Sequence, residues 1–295
     1  MGKAWRRTAV RSLVVLALLC ATIVAGAMFL ERQMIYFPTR YPDGLWELEA
    51  VTRNSGCTLE DCFFQSEDGL RLHGWWCRPI HGEGVTADMV LLWFHGNAGN
   101  LSHRADLMLR LARTPAQVVI VDYRGYGRSE GKPSERGLYR DADAAWRYLI
   151  GERRVAPERV VLLGDSLGAA VAVDLAARVE AAGLIVQSGF TSIPDLAARH
   201  FPFVPRALIR TKMDSLSKIP DVRGPKLFLH SPEDEVVPYG LGRRLYEAAA
   251  EPKRFLEVPG ASHNDLSLVG GHRYFDAIAT FLSDCRRRAE GRTRG

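Results

Sequence analysis

Residues 160–172 read VVLLGDSLGAAVA, and the interpretation of the whole chain starts from this stretch. The apolar, β-branched run predicts a buried strand, the Gly-Asp-Ser-Leu-Gly segment a sharp turn, and the small aliphatic residues after it a helix. Strand, turn and helix in this order are typical of a nucleophile elbow, G-x-S-x-G. Gly164 and Gly168 leave room where the strand and the helix cross. Ser166 is therefore the candidate nucleophile.

Two backbone donors are expected beside this serine. The N–H of Leu167 stands at the start of the predicted helix, where it can donate to an oxyanion. The second donor should come from the loop after the earlier buried strand, a loop that reads HGNAGN from residue 95. We assign it to the backbone N–H of Asn97, with Ala98 as the alternative, and expect His95 to be structural.

The base is sought among the histidines that follow the serine. A serine hydroxyl is a poor nucleophile at neutral pH, and behind such an elbow the acid comes next in the chain and the base last. His263 lies in the loop after the last predicted strand, where this order requires the base. The other histidines after the serine are His200, His230 and His272. We therefore assign the base to His263.

The orienting acid is sought in the loop after the preceding strand, which holds Glu233, Asp234 and Glu235. The acid must reach the far imidazole nitrogen and keep the correct tautomer. We choose Asp234 and interpret the two glutamates as a solvated acidic turn. Asp265 is the alternative, although its position two residues after His263 fits better a role in bracing the loop.

The remaining sequence alternates between strands and helices. Predicted strands cover residues 63–65, 70–76, 89–94, 118–121, 160–163, 184–186, 226–230 and 254–258, and predicted helices cover 101–113, 134–150, 167–178, 239–250 and 273–286. The first two strands should form a hairpin. The later alternation predicts an α/β fold with a doubly wound, mostly parallel sheet. A proline-rich stretch, residues 189–224, interrupts the pattern as a lid-like insert.

The N-terminal end combines a basic flank with an apolar run. Residues 1–11 are rich in Lys and Arg, and residues 12–30 carry no charge over a length near the minimum for spanning a bilayer. Positive charge before the run orients the N-terminus to the cytoplasm and the catalytic domain to the extracytoplasmic side. We predict an uncleaved transmembrane anchor within residues 1–32. The alternative is a signal peptide cut at Ala27, which would release a secreted or periplasmic protein.

Composition supports one folded domain with short appendages. A chain of 295 residues with 47% apolar and 25% charged residues suits one α/β domain over 33–288, followed by a basic disordered tail over 289–295. The net charge of +5 is modest, and without a basic stripe interleaved with aromatics we expect no nucleic-acid partner. No His/Cys cluster has zinc spacing, so neither a metal nor an organic cofactor is expected.

Five cysteines are too few for a disulfide scaffold. Cys57 and Cys62 bracket a short polar stretch and are candidates for a pair in an oxidising compartment. The oligomeric state is left open.

Four motifs in order resemble the Bem46-like branch of the α/β-hydrolases. They are residues 95–100, 122–135, 164–168 and 262–266. That branch is similar to proteins labelled serine aminopeptidase S33-like and to membrane-associated αβ-hydrolase-domain proteins, and the likeness runs over about residues 36–282. The resemblance implies the α/β-hydrolase fold with Ser166, Asp234 and His263 as its triad. Ser231 stands where the family usually has glycine, and we expect it to loosen the acid loop.

These observations predict a membrane-anchored serine hydrolase of carboxylic esters or thioesters. The apolar insert suggests a small-molecule or lipid-like, acyl-bearing substrate, and ester bonds are favoured over peptide bonds. Two alternatives stay open: an aminopeptidase-like serine peptidase, and a non-catalytic α/β-hydrolase scaffold that binds a partner.

Overall fold

A computed structural model of the chain describes residues 13–15, 18, 22, 26, 30–80 and 87–292. The chain divides into two compact units, residues 1–37 and 38–295. In the first unit, residues 30–35 are helical. Within the described residues, no helix combines the length and the apolar character needed to cross a membrane. The predicted anchor over residues 12–30 falls largely outside the described residues, and so does the alternative cleavage site at Ala27.

The second unit is built on an eight-stranded sheet. The strands in the described part of the chain are β1 (Phe37–Pro38), β2 (Cys57–Gln65), β3 (Arg71–Pro79), β4 (Met89–Phe94), β5 (Ala98–Gly99), β6 (Ala116–Asp122), β7 (Val160–Asp165), β8 (Gly183–Gln187), β9 (Lys226–His230) and β10 (Lys253–Glu257). The sheet order is β10-β9-β8-β7-β4-β6-β3-β2. β3 is antiparallel to both β2 and β6, and the other neighbouring pairs are parallel. The predicted mostly parallel sheet is confirmed.

The central strands are buried because their sequences are apolar on both faces. Every residue of β4 is buried, as a strand between two layers of helices requires. The register Leu92↔Leu162 and Trp93↔Leu163 carries this apolar character from β4 into β7. The turn of the predicted hairpin closes where Ser66 N–H donates to the Leu70 carbonyl at 2.9 Å.

Helices cover both faces of the sheet. They are α1 (Leu48–Thr52), α2 (Ala105–Leu111), α3 (Glu135–Arg147), α4 (Leu167–Ala176), α5 (Ile193–His200), α6 (Ser215–Lys218), α7 (Tyr239–Ala248) and α8 (Leu266–Arg292). On one face, Met108 of α2 and Phe281 of α8 join the core cluster of Trp93. On the other, α4 packs against β7 and β8 and is buried along its whole length. The domain is therefore doubly wound.

The ends of the helices refine the predictions. Ser134 caps α3, its hydroxyl accepting from the Gly137 N–H at 3.2 Å. The last helix begins at Leu266, earlier than predicted, and is interrupted at Gly271, where φ is 46°. It continues to Arg292, so a tail beginning at 289 is wrong for 289–292. Arg, Ala and Glu are good helix formers, and Ala289 is buried. Residues 293–295 lie outside the described residues.

The four described cysteines, Cys57, Cys62, Cys77 and Cys285, are free thiols, so the pairing suggested for the first two is wrong. Cys57 and Cys62 lie in the same extended strand, β2. Side chains five residues apart in a strand point to opposite faces, and their Cα atoms are roughly 16 Å apart. A disulfide requires a Cα separation below about 7 Å.

Candidate active site

The predicted elbow lies at the carboxyl end of β7. Ser166 adopts φ 51° and ψ −116°, a conformation that L-residues rarely adopt, between the last residue of β7 and the first of α4. Its N–H donates to the Gln187 carbonyl at 2.9 Å, which ties the turn to β8. A Cβ on Gly164 would lie 2.3 Å from the Gly168 carbonyl oxygen, and one on Gly168 would lie 2.0 Å from that of Phe94. The two glycines are thus required by close backbone approach.

The structure brings together the three side chains predicted from separate parts of the sequence. Ser166 Oγ lies 3.0 Å from Nε2 of His263. Nδ1 of the same ring lies 2.9 Å and 2.8 Å from the two carboxylate oxygens of Asp234. With Nδ1–H donating to the carboxylate, Nε2 accepts from the serine hydroxyl. This is the geometry that general-base activation of a serine requires.

Asp234 is buried yet held in its charged form. Burial raises the pKa of this carboxyl. The hydrogen bond and charge of His263, together with the Val237 N–H, lower the pKa by more than burial raises it, so it lies below the ordinary value. The N–H groups of Val236 and Val237 donate to Oδ1 at 3.0 Å and 2.7 Å. A carboxylate that accepts two backbone N–H bonds stays ionised and fixed in orientation.

The two neighbouring glutamates fix the histidine loop. An oxygen of Glu233 accepts from the Gly260 N–H at 2.9 Å, and one of Glu235 accepts from the His263 N–H at 3.0 Å. The interpretation of these residues as a solvated acidic turn is therefore incomplete: their side chains are exposed, but each links the acid loop to the histidine loop.

Ser231 strengthens the acid loop, contrary to our expectation. It is buried, and its hydroxyl donates to the Ala261 carbonyl at 2.5 Å and accepts from the Glu233 N–H at 3.1 Å. Glycine at this position could form neither bond. Asp265, the alternative acid, accepts instead from the Ser262 N–H at 2.7 Å and braces the loop.

The remaining histidines after the serine have other contacts. His200 Nε2–H donates to the Val236 carbonyl at 2.7 Å, and His230 Nε2–H to the Val237 carbonyl at 2.9 Å. Burial lowers the pKa of His230. His272 is exposed on α8.

The loop predicted to hold the second donor lies against the elbow. A Cβ on Gly96 would lie 3.7 Å from Cβ of Ser166, so the start of this loop approaches the serine closely. The Asn97 carbonyl accepts from the Tyr126 hydroxyl at 2.7 Å. His95 is buried between the Gly96 carbonyl, 2.7 Å from Nδ1, and Asp122, 3.2 Å from Nε2. Leu167 is the first residue of α4, so its N–H has no acceptor within the helix.

One contact of the site had no sequence signal. Trp93 Nε1–H donates to Asp165 at 2.9 Å, which joins the residue before the serine to β4. The sequence could not indicate this contact, because only the strand order β7-β4 brings the two side chains together.

Comparison with known proteins places this chain in a family. A family model described as serine aminopeptidase, S33, matches residues 86–208, which include Asn97 and Ser166 but end before Asp234. An uncharacterized protein of Mycobacterium tuberculosis is 39% identical over 281 residues, covering 93% of this chain and 96% of its own. Alpha/beta hydrolase domain-containing protein WAV2 of Arabidopsis thaliana is 32% identical over 285 residues, covering 88% and 91%.

Solved structures agree on the fold. An esterase of Pyrococcus furiosus superposes with a TM-score of 0.68 at 20% identity, covering 84% of this chain and 98% of its own. At this identity the likeness concerns the fold alone. Together with the sequence relatives, it shows that the chain belongs to the α/β-hydrolase superfamily.

Proposed function

We propose that the protein is a serine hydrolase that cleaves carboxylic ester or thioester bonds through an acyl-enzyme. The observation that carries this proposal is the unbroken hydrogen-bonded chain from Ser166 Oγ through His263 to Asp234, with a first step of 3.0 Å. Membership of a hydrolase superfamily and a fold shared with an esterase support the same conclusion.

The reaction follows from the contacts of these groups. Ser166 Oγ attacks the substrate carbonyl carbon while its proton passes to His263 Nε2, and Asp234 stabilises the imidazolium that forms. The N–H groups of Leu167 and Asn97 donate to the oxyanion. His263 then protonates the departing alcohol or thiol, leaving an acyl-serine. Water then attacks the acyl carbon and gives a proton to His263. This proton returns to Ser166 Oγ as the bond between the serine and the acyl group breaks, which releases the carboxylic acid and the free serine.

The insert supports a hydrophobic, acyl-bearing substrate. Phe201, Phe203 and Leu208 expose 39%, 79% and 69% of their surfaces. The insert also reaches the acid loop, since His200 donates to Val236, two residues from Asp234. The insert, residues 189–224, carries six Arg or Lys against three Asp, and its Asp195 is already paired with Arg206 at 2.8 Å; this favours an ester over an aminopeptidase substrate.

A labelling and substrate series tests the proposal. The full chain should react with a fluorophosphonate probe and hydrolyse p-nitrophenyl esters, and Ser166→Ala should lose the label and at least about 1,000-fold in kcat. Activity should rise with acyl-chain length and be absent on aminoacyl amides. Amide cleavage above ester cleavage would favour the peptidase, and a wild type without label or turnover would favour the scaffold.

We further propose that residues 12–30 anchor the protein in a membrane, with the N-terminus in the cytoplasm. The uncharged apolar run and its basic flank support this. The purified protein should keep the mass of the whole chain and stay in the membrane pellet after alkaline extraction. A mature form that begins at Met28 and is found in the soluble fraction would contradict the anchor.

A further inference from the structure

Residues 39–45, which we call the strap, run alongside the loop that follows β4. The Thr39 N–H donates to the Gly99 carbonyl at 2.9 Å. The Thr39 carbonyl in turn accepts from the Gly127 N–H at 2.9 Å, and the Tyr41 N–H donates to the Gly127 carbonyl at 3.0 Å. The strap is therefore held between the loop of residues 96–100 and the loop that follows β6.

Asn100 joins the strap to this loop with its whole side chain. Its Nδ2 donates to the carbonyls of Asp43 and Thr39, at 2.9 Å and 3.3 Å. Its Oδ1 accepts from the N–H and the hydroxyl of Ser102, at 3.0 Å and 2.7 Å. An asparagine amide offers two donors and two acceptor positions, so every one is used, and the residue is 0% exposed.

The strap packs closely against Asn100 and Ser102. Ser102, itself buried, accepts at its hydroxyl from the Leu45 N–H at 3.0 Å. Gly44 has φ +122°, and a Cβ there would lie 2.2 Å from the Ser102 hydroxyl oxygen. No side chain fits at position 44 unless Ser102 moves. These contacts fix the strap in one position against Asn100 and Ser102.

The loop held in this way carries the proposed second oxyanion donor. On its other side, the Tyr126 hydroxyl donates to the Asn97 carbonyl at 2.7 Å. Tyr126 thus holds Asn97 directly. The strap holds the same loop three residues further along, at Asn100. We propose that Asn100 is a positioning residue: by clamping the strap to the loop, it holds the Asn97 N–H where the oxyanion forms. This inference rests on the proposed function of Ser166.

Asn100→Asp tests the clamp with little change in side-chain volume. The aspartate keeps the acceptors for Ser102 but sets a carboxylate oxygen against the two strap carbonyls, so repulsion replaces two hydrogen bonds. We expect kcat for a short p-nitrophenyl ester to fall about 10- to 100-fold per active site, with KM changed by less than about threefold, because a misplaced donor affects the transition state. The control is Asn54→Asp, the same change at an exposed turn.

Active sites are counted by fluorophosphonate end-point titration of the full chain, which separates a positioning role from a structural one. A variant that has fewer titratable sites but an unchanged kcat per site overturns the proposal, and so does a variant with an unchanged total rate. Control activity equal to that of the wild type is expected. An equal loss of activity in the control would also overturn the proposal.

Hydrogen exchange tests the clamp without any substrate. The amides of residues 96–99 should exchange faster in Asn100→Asp than in the wild type, whereas those of β9 should not. Unchanged exchange in the loop contradicts the clamp. Activity that survives Ser166→Ala contradicts the proposed function instead, and the exchange result then still decides whether Asn100 holds the loop.

Discussion

At the scale of single residues, the role of Asp234 can be separated from that of its neighbours. Asp234 accepts both the His263 Nδ1–H and two backbone N–H groups, whereas Asp265 accepts a backbone N–H of the same loop. Asp265 is thus close to His263 in sequence, but it is Asp234 that contacts the imidazole ring. Replacement of each by its amide therefore gives different outcomes.

Asp234→Asn should lower kcat by about 1,000- to 10,000-fold, with a smaller change in KM. An amide at this position can donate to Nδ1, which stabilises the tautomer whose Nε2 carries a proton and cannot accept from Ser166. The measurement is steady-state hydrolysis of a short p-nitrophenyl ester.

Asp265→Asn is the matched change, because an amide oxygen can still accept from the Ser262 N–H. Its loss of kcat should stay below about tenfold. A larger loss in this variant than in Asp234→Asn would reverse the assignment of the acid.

The three residues of the proposed triad were within reach of sequence reasoning because each belongs to a local pattern: a G-x-S-x-G turn, a loop after the last strand, an acid after the strand before it. The residues that fix those loops were not. Glu235 contacts the His263 N–H, and Ser231 contacts the Ala261 carbonyl, across separations that no local pattern encodes. Such contacts follow only from the pairing of β9 with β10.

At the scale of secondary-structure elements, the crossing of β4 and α4 depends on Gly168. Gly168→Ala should destabilise the protein by about 3 kcal/mol, since the added methyl group would meet the Phe94 carbonyl and push the helix off the strand. The measurement is the free energy of unfolding in urea, and activity should fall because the helix carries Leu167.

Gly240→Ala is the control for this substitution. Gly240 lies in α7, and a Cβ there would meet nothing within 4 Å. Alanine should be neutral or stabilise the protein by up to about 1 kcal/mol, through its higher helix propensity. Similar losses of stability in both variants would mean that the close crossing at Gly168 is not what makes it necessary.

Strongly patterned elements were predicted well and irregular ones poorly. Strands β4 and β9 have their predicted bounds, because buried strands are continuous apolar runs between polar residues. The short helices of the insert, such as α6, were not predicted, since they are held by contacts with the rest of the domain and not by periodicity. The Met213 N–H, for example, donates to Glu135 of α3 at 2.7 Å.

At the scale of the whole molecule, alternating strands and helices predicted a mostly parallel sheet but not the order of its strands. In the structure β4 lies between β6 and β7. The chain passes from β4 to β6 on one side, and then crosses back over β4 to form β7, β8, β9 and β10 on the other side. That reversal brings the loop after β4 beside the elbow after β7, where the site lies. The order depends on which crossovers pack best over the finished sheet, and this is a property of the whole domain.

Ion pairs at the antiparallel end of this sheet make the stability of the domain depend on pH. The hydrogen bond from Arg153, at 2.7 Å, and the pairing with Arg78 hold the pKa of Glu60 at about 2. The hydrogen bonds from Arg124 likewise hold the pKa of Asp68 at about 2. A carboxyl whose pKa is lower in the folded than in the unfolded chain stabilises the fold above the unfolded value, and this stabilisation is lost as pH falls through the folded value.

The free energy of unfolding should therefore fall between about pH 5 and pH 2, the range between the unfolded and folded pKa values. Glu60→Gln should be less stable than the wild type at pH 6, and this difference in stability should shrink toward pH 2 as Glu60 itself becomes protonated. Denaturation in urea at each pH measures this, with Glu49→Gln as the control, because Glu49 is exposed and forms no salt bridge with a described residue. A gap that stays constant with pH would mean that Glu60 contributes through packing and not through its charge.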